Sequence, residues 1–411
     1  MTAGTSQLWR RTVRWGLASA LALVLAGPVG VVGAPTAVAS EVRPKQWYLD
    51  AMHADEIWKK ATGDGIKIAV IDTGVNPSTP SLKGQVLKGF DATAMTGDET
   101  DDYEGHGTTM AELIAGTGNG GGLQGLAPGV KIIPMRVADT EHRNKKSANA
   151  HDIEDAIRAA ADSDARIISM SGGSEFSTPQ EREAAKYAQS KGKLFFAAAG
   201  NSGHKGNKRN YPASYDEVTA VSSIDRSGQV SDHSQHGDYV DIAAPGDDIP
   251  SWCDTSFTRY CDGNGGTSAA TAITSASAAL IWSLHPDWTA NQVLRVMFES
   301  AARGDNWKPG TVSTYLGHGT VRPNAHINRG IGKPGAADIS PLTNEKTGGS
   351  GPSASAASQA PKPKPGSDAV AAGSSGETED NGQLLMVLGG AAAVAVLAGV
   401  VFAVLRRRRS A

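Results

Sequence analysis

The sequence predicts an α/β fold built on a central, mostly parallel β-sheet. Short runs of apolar, mostly β-branched residues recur along the chain, as expected for strands buried on both faces. Amphipathic helical patterns lie between these runs, and alternating strands and helices favour a parallel sheet with right-handed crossovers. Several runs end in a polar residue or in glycine. We therefore expect reactive groups at the carboxyl edge of the sheet, where the sites of such folds lie.

Five segments are predicted to be strands. The first is IKIAVID, which ends at Asp72. The other four are VKIIPMRV (130–137), ARIISMS (165–171), KLFFAAAG (193–200) and EVTAVSS (217–223).

Helices are predicted between these strands. Ile153 and Ile157 are four residues apart and form one apolar stripe with neighbouring alanines. Thr178 and Pro179 are typical of a helix start, and Gly192 is typical of a helix end. EGHGTTMAELIAG predicts a further helix that begins near His106.

Small residues surround Ser268 in the run GNGGTSAAT (263–271), directly before an Ala/Ser-rich helical pattern. The structural interpretation is a Gly-rich loop followed by a helix start, where Ser and Thr are common. The chemical interpretation is that the small neighbours leave room for a substrate backbone. The positive end of the helix also favours an anion that forms beside it.

Other polar residues at the predicted sheet edge favour the chemical interpretation. Asp72 closes the first strand, His106 lies between two glycines, and Asn201 follows the fourth strand. Each of these positions alone is ordinary. Together with Ser268 they form a set that could catalyse acyl transfer.

The chemistry requires one role from each residue. His106 can take the proton of Ser268 near neutral pH. Asp72 can fix the imidazole tautomer and stabilise the imidazolium. The Asn201 amide and the Ser268 backbone N–H can donate to the oxyanion of the tetrahedral intermediate.

The order Asp, His, Asn, Ser in VIDTGV, GHGTTMAELIAG, AAAGNSG and GTSAAT resembles the subtilisin-like serine proteases, or subtilases. The resemblance runs from about Val42 to about Ile331, and it implies a three-layer fold for a peptidase domain at 66–345. It also implies an enzyme that needs no cofactor and that hydrolyses protein or peptide substrates. The implied site comprises the triad Asp72, His106 and Ser268, the oxyanion-hole residue Asn201, and the substrate-binding residues Ser171, Gly172, Gly173 and Gly200.

The chain departs from the family pattern after the serine. Subtilases usually show Met or another large residue there, then Ala, any residue and Pro. Here the four positions are Ala269, Ala270, Thr271 and Ala272. Alanine suits a first helical turn as well as proline does, so we interpret the change as neutral for the chemistry.

The two ends of the chain predict export and a membrane anchor. Residues 1–40 have early arginines, an apolar stretch and an Ala-Val-Ala cleavage pattern, as in a signal peptide. Residues 384–405 are apolar over about 33 Å of helix, enough to span a bilayer. The basic tail at 406–411 should stay in the cytoplasm, which places the peptidase domain outside the cell. A Pro/Gly/Ser-rich segment, 346–383, is predicted to be a disordered tether.

This arrangement of ends resembles the mycosins, membrane-anchored subtilases that act with type VII secretion systems. Only about 25 residues, 41–65, lie between the signal peptide and the first strand. That is too short for a separate pro-domain, so we predict that they wrap permanently on the enzyme. A general surface subtilase and a scaffold without activity remain the alternatives.

The remaining features predict less. Cys253 and Cys261 are the only cysteines and predict a disulfide in an exported protein, with metal binding as the weaker alternative. The net charge of −3 gives no electrostatic case for nucleic acid. The acidic run 98–104 is interpreted as a solvated loop, with a preference for basic substrates or a Ca²⁺ site as the alternatives. Lys205, Lys208 and Arg209 are expected to border the specificity pocket, with plain surface charge as the alternative.

Overall fold

The computed structural model describes residues 42–138, 151–304, 307–308 and 310–347. The chain divides into two units, Met1–Ser353 and Ala354–Ala411, and every described residue belongs to the first. Within the described ranges, no helix has the length and apolarity needed to cross a membrane. The following predicted segments lie outside the described residues: the signal peptide (1–40), the tether beyond 347, the membrane span (384–405) and the basic tail (406–411).

In the part of the chain that the structure describes, seven strands form one parallel sheet in the order β2-β3-β1-β4-β5-β6-β7. Five of them, β1 and β3 to β6, confirm the five predicted strands. The strands are β1 (Lys67–Asp72), β2 (Phe90–Asp91), β3 (Lys131–Arg136), β4 (Ile167–Met170), β5 (Leu194–Ala198), β6 (Thr219–Ile224) and β7 (Val240–Pro245). A separate antiparallel hairpin pairs β8 (Ile249–Trp252) with β9 (Tyr260–Asn264).

Helices cover both faces of the sheet, which gives three layers. Successive residues of β1 point to opposite faces, so that Ile68 and Val70 enter one apolar cluster while Ala69 and Ile71 enter the other. The helices are α1 (Trp47–Ala51), α2 (Ala54–Ile57), α3 (His106–Ala115), α4 (Asp152–Asp162), α5 (Pro179–Ser190), α6 (Thr267–Leu284), α7 (Ala290–Ser300) and α8 (Pro323–Arg329). Residues of α4 and α5 pack on one face, and residues of α1 to α3 and of α6 to α8 pack on the other.

Helix α6 is buried along almost its whole length, from Thr267 to Trp282. Its Ala, Ser and Thr side chains let it approach β4 to β7 and α3 closely. The buried hydroxyls of Thr271, Thr274 and Ser277 each donate to the carbonyl four residues earlier, at 2.7–2.8 Å. These three side chains therefore enter the core with a hydrogen bond made inside the helix.

Residues 42–65 pack against the body of the domain. Tyr48 and Ile57 are completely buried. The side-chain amide of Gln46 exchanges two hydrogen bonds with the backbone of Gln124, and the Trp58 indole donates to the Leu126 carbonyl at 2.8 Å. This short segment thus contributes side chains to the main core instead of forming a core of its own.

A buried carboxylate ties α3 to the β8–β9 hairpin. Glu112 on α3 accepts hydrogen bonds from the hydroxyls of Thr79 (2.8 Å), Ser81 (2.6 Å) and, on β9, Tyr260 (2.8 Å). Burial raises the pKa of Glu112 to about 7, although these hydroxyl donors act in the opposite direction. Beside Tyr260, a disulfide between Cys253 and Cys261 closes the hairpin.

The raised pKa of Glu112 predicts a stability that falls with pH. The folded protein holds this proton more tightly than the unfolded chain does. The stabilisation is therefore complete below the ordinary Glu pKa of about 4.3 and is lost as the pH rises through about 7. Between about pH 5 and about pH 8, this group should lower the free energy of unfolding by about 2 kcal/mol. Glu112→Gln should abolish this part of the pH-dependent decrease in the free energy of unfolding, as measured by urea unfolding at the two pH values.

The matched control is Glu56→Gln, at an exposed position of α2. It should keep the pH difference of the wild type. An equal pH difference in the wild type and in Glu112→Gln would contradict the prediction.

Candidate active site

Asp72 and His106 form the central pair of the site. Asp72 is the last residue of β1, and His106 is the first residue of α3. The imidazole Nδ1 lies 2.7 Å from Asp72 Oδ1, which also accepts the Thr73 backbone N–H at 2.8 Å. Because an ionised carboxylate only accepts hydrogen bonds, Nδ1 carries the proton, and in the neutral imidazole Nε2 then keeps a free lone pair.

The charges around His106 favour its protonated form. Burial lowers the pKa of the imidazole, but the charge of Asp72 and the hydrogen bond to it outweigh this effect. Asp102 and Glu104 add to the same electrostatic attraction. The pKa of His106 is therefore raised to about 9.

The turn that carries His106 is anchored by Asp102, and the interpretation of 98–104 as a solvated loop is wrong at this residue. Asp102 is only 5% exposed. One carboxylate oxygen accepts the Thr73 hydroxyl and the Gly105 N–H, both at 2.8 Å. The other oxygen accepts the N–H and the hydroxyl of Thr108, at 2.8 and 2.6 Å. No capping pattern in the sequence marked this role, because the N-cap position of α3 is Gly105 and not Asp102.

Ser268 is the second residue of α6 and is 8% exposed. Its hydroxyl donates to the Ser171 carbonyl at 3.3 Å and not to His106. The turn before it requires glycine: Gly266 has φ 121°, and a Cβ there would lie 2.8 Å from Asn201 Oδ1. The small residues around Ser268 therefore serve the backbone and the close approach of Asn201.

Asn201 follows β5 and bonds to the residue beside the serine. Its Oδ1 accepts both the backbone N–H and the hydroxyl of Thr267, each at 3.0 Å. The same hydroxyl accepts the Gly200 N–H at 3.1 Å. Because Oδ1 already accepts these hydrogen bonds, the Nδ2 amide group is the part of the side chain that can donate to a ligand.

Ser171, Gly172 and Gly173 follow β4 and lie beside Ser268. Gly173 is exposed, and a Cβ there would meet Asn210 Nδ2 at 2.4 Å. The segment then turns at Ser174, whose backbone forms an antiparallel β-bridge with Tyr211. Its backbone thus runs along the rim of the site.

The basic residues after Asn201 carry paired charges. Lys208 contacts Glu175 at 2.6 Å, and Arg209 contacts Asp238. Both pairs are at the surface, where their contribution to stability is small.

One cavity of about 200 Å³ joins His106 and Ser268. The two side chains line it together, although they do not hydrogen-bond to each other. A catalytic hydrogen bond is often long before substrate binds. The sheet edge therefore brings together Asp72, His106, Asn201, Ser268 and the 171–173 segment.

Comparison with known proteins agrees with this arrangement. Residues 63–319 match the Subtilase family. Thermitase of Thermoactinomyces vulgaris is 35% identical over 278 residues, which cover 66% of this chain and 95% of thermitase. Subtilisin E of Bacillus subtilis is 34% identical over 273 residues, which cover 65% of each protein.

Solved structures show the same likeness. MycP1 with its N-terminal propeptide removed has a TM-score of 0.57 at 27% identity, over 68% of this chain and 96% of that one. MycP3, a protease from the type VII (ESX-3) secretion system, has a TM-score of 0.56 at 30% identity, over 68% and 87% of the two chains. Because the family match covers more than half of the sequence, the chain belongs to the subtilase family and is a subtilisin-like serine endopeptidase.

Proposed function

We propose that this chain is a membrane-anchored, extracellular endopeptidase that cleaves with the triad Asp72, His106 and Ser268 and acts with a type VII secretion system. One observation carries the catalytic part. His106, which lies 2.7 Å from Asp72, lines the same cavity as Ser268 at the start of α6. The likeness to MycP1 and MycP3 supports the secretion part.

Acylation begins when His106 Nε2 takes the proton of Ser268 Oγ. The oxygen then attacks the substrate carbonyl carbon, and the carbonyl becomes an oxyanion. When the C–N bond breaks, His106 returns the proton to the leaving amine. Water repeats the sequence on the acyl-enzyme and releases the acid, with Asp72 stabilising the imidazolium in both halves.

The oxyanion forms at the positive end of α6. The Ser268 backbone N–H and the Asn201 Nδ2 amine are the donors that we assign to it. Because Thr267 donates two hydrogen bonds to Oδ1 of Asn201, the Nδ2 amide group is oriented before the reaction starts. We assign the backbone of 171–173 to pairing with the acyl part of an extended substrate, as an added strand.

The raised pKa of His106 sets the pH range of the free enzyme. Only neutral imidazole can accept the serine proton. The neutral form becomes the main species as the pH rises through about 9. We therefore assign this enzyme an activity that increases from neutral to alkaline pH.

The alternative of an inactive scaffold is tested by covalent labelling. A fluorophosphonate should react with the full-length protein at Ser268, because His106 activates that oxygen. Ser268→Ala should abolish both labelling and peptide cleavage, whereas Ser227→Ala, at an exposed position, should keep both. Mass spectrometry of the labelled peptide identifies the residue.

N-terminal sequencing of the labelled protein tests the wrapping segment in the same experiment. A start near Ser40 would mean that 41–65 is retained in the active form.

Labelling that survives Ser268→Ala would overturn the assignment of Ser268 as the nucleophile. A wild-type protein that binds partners but never labels would favour the scaffold.

Anchoring is tested on intact cells that carry a tag after Ala411. External protease should cut the tether at 346–383 and release the peptidase domain, leaving a small tagged stub with Arg406–Arg409.

Association with the secretion machinery is tested on membranes solubilised before proteolysis. Purification through the tag should yield the chain together with components of the type VII machinery.

Cytoplasmic marker proteins must stay intact in the same sample, which shows that the cells are sealed. Protection of the domain until the cells are permeabilised would reverse the proposed orientation. A tagged chain that purifies without the secretion machinery would favour a general surface subtilase.

A further inference from the structure

The cavity between His106 and Ser268 has an apolar interior that the proposed mechanism does not use. Its lining includes four buried apolar residues, Met110, Ile249, Trp252 and Ala269. The polar residues that line it include His106 and Ser268 themselves. A side chain of the substrate that entered this space would therefore lie within reach of the reacting atoms.

The position of the cavity indicates which half of the substrate it faces. None of the described residues of the acyl-binding segment 171–173 lines it, and neither does Asn201. His106 does line it, and His106 must deliver its proton to the leaving nitrogen. The residue that carries this nitrogen is the one that follows the scissile bond, P1′. The cavity is thus on the leaving-group side of Ser268.

We infer that this cavity binds the P1′ side chain and gives the enzyme a preference for a large apolar residue, such as Leu, at that position. The inference rests on the proposed triad. An apolar cavity of about 150 Å³ accepts a benzene molecule. The cavity here, at about 200 Å³, has room for a Leu side chain.

The small size of Ala269 keeps this space open. Ala269 follows the nucleophile on α6, at the position where subtilases usually carry Met or another large residue. It lines the cavity and is completely buried itself. A longer side chain at this position would extend into the volume that we assign to P1′.

The opposite wall is held in place by several contacts. The Trp252 ring stacks on Tyr260 at 3.8 Å, and its backbone N–H donates to the Thr109 hydroxyl at 3.2 Å. Tyr260 in turn donates to the buried Glu112, and the disulfide closes the hairpin. A wall fixed in this way cannot easily retreat, so side-chain size should be selected sharply.

The charge at the cavity should exclude acidic side chains. Glu104 lines it together with His106, and Asp102 lies in the same turn. A carboxylate at P1′ would lose its hydration and lie beside Glu104. We therefore expect Glu to be the poorest of the P1′ residues compared below.

The test uses the full-length protein and peptides that differ only at P1′, which is Leu, Gly or Glu. Competition between pairs of peptides gives the ratio of kcat/KM values, which does not depend on the fraction of active enzyme. The wild type should prefer Leu over Gly by at least about tenfold, the lower range for filling an apolar pocket. Ala269→Leu should bring the ratio near one, because its own side chain occupies the cavity.

Two further variants control for the substitution itself. Ala51→Leu makes the same change at an exposed position of α1 and should keep the wild-type ratio. Ala269→Val fills the cavity only in part and should lower the Leu/Gly ratio by less than Ala269→Leu does, which provides a second test if Ala269→Leu does not fold.

The outcomes separate this inference from the proposed function. A protein that labels at Ser268 and cleaves all three peptides equally well, or prefers Glu, overturns the assignment of the cavity alone. A Leu preference that persists unchanged in a folded Ala269→Leu variant overturns it too. A protein that neither labels nor cleaves overturns the proposed triad, and this inference with it.

Discussion

The burial of α6 is the constraint on which the rest of the site depends. This helix crosses under four strands of the sheet, and its Ala, Ser and Thr side chains let it lie close to them. Its first turn therefore emerges at the carboxyl edge, beside the ends of β4 and β5. Ser268 reaches its place because the helix behind it cannot move without opening the core.

The position of His106 relative to this helix is set by contacts outside the catalytic pair. Asp102 fixes the turn before α3 through Thr73 and Thr108. Six residues further along α3, Glu112 binds Tyr260 on the strand that leads into the Ser268 loop. Asp102 thus holds the His106 turn beside the end of β1, and Glu112 holds α3 to the hairpin that precedes Ser268.

The sequence predicted the elements whose signals are local. Buried strands such as β1 show as apolar runs, and the glycines around Ser268 mark a strained turn. The two-residue strand β2 was missed because it has no periodicity and exists only by pairing with β3. Asp102 was misjudged because its partners, Thr73 and Thr108, become visible only once the chain has folded. The cavity beside Ala269 could not be predicted from the sequence, because one of its walls is the β8–β9 hairpin, which comes from another part of the chain.

We propose that Asp72, at the end of β1, holds His106 as the base of the site. NMR titration of the His106 imidazole measures the pKa on which this role depends. The imidazole should titrate with a pKa of about 9 in the wild type and with a clearly lower pKa in Asp72→Asn, which keeps the shape but removes the charge. His318, whose pKa is lowered to about 4 by burial and by Arg303, should titrate identically in both proteins. A His106 that titrates near 6.5 in the wild type and does not shift in Asp72→Asn would show that Asp72 does not hold it as the base.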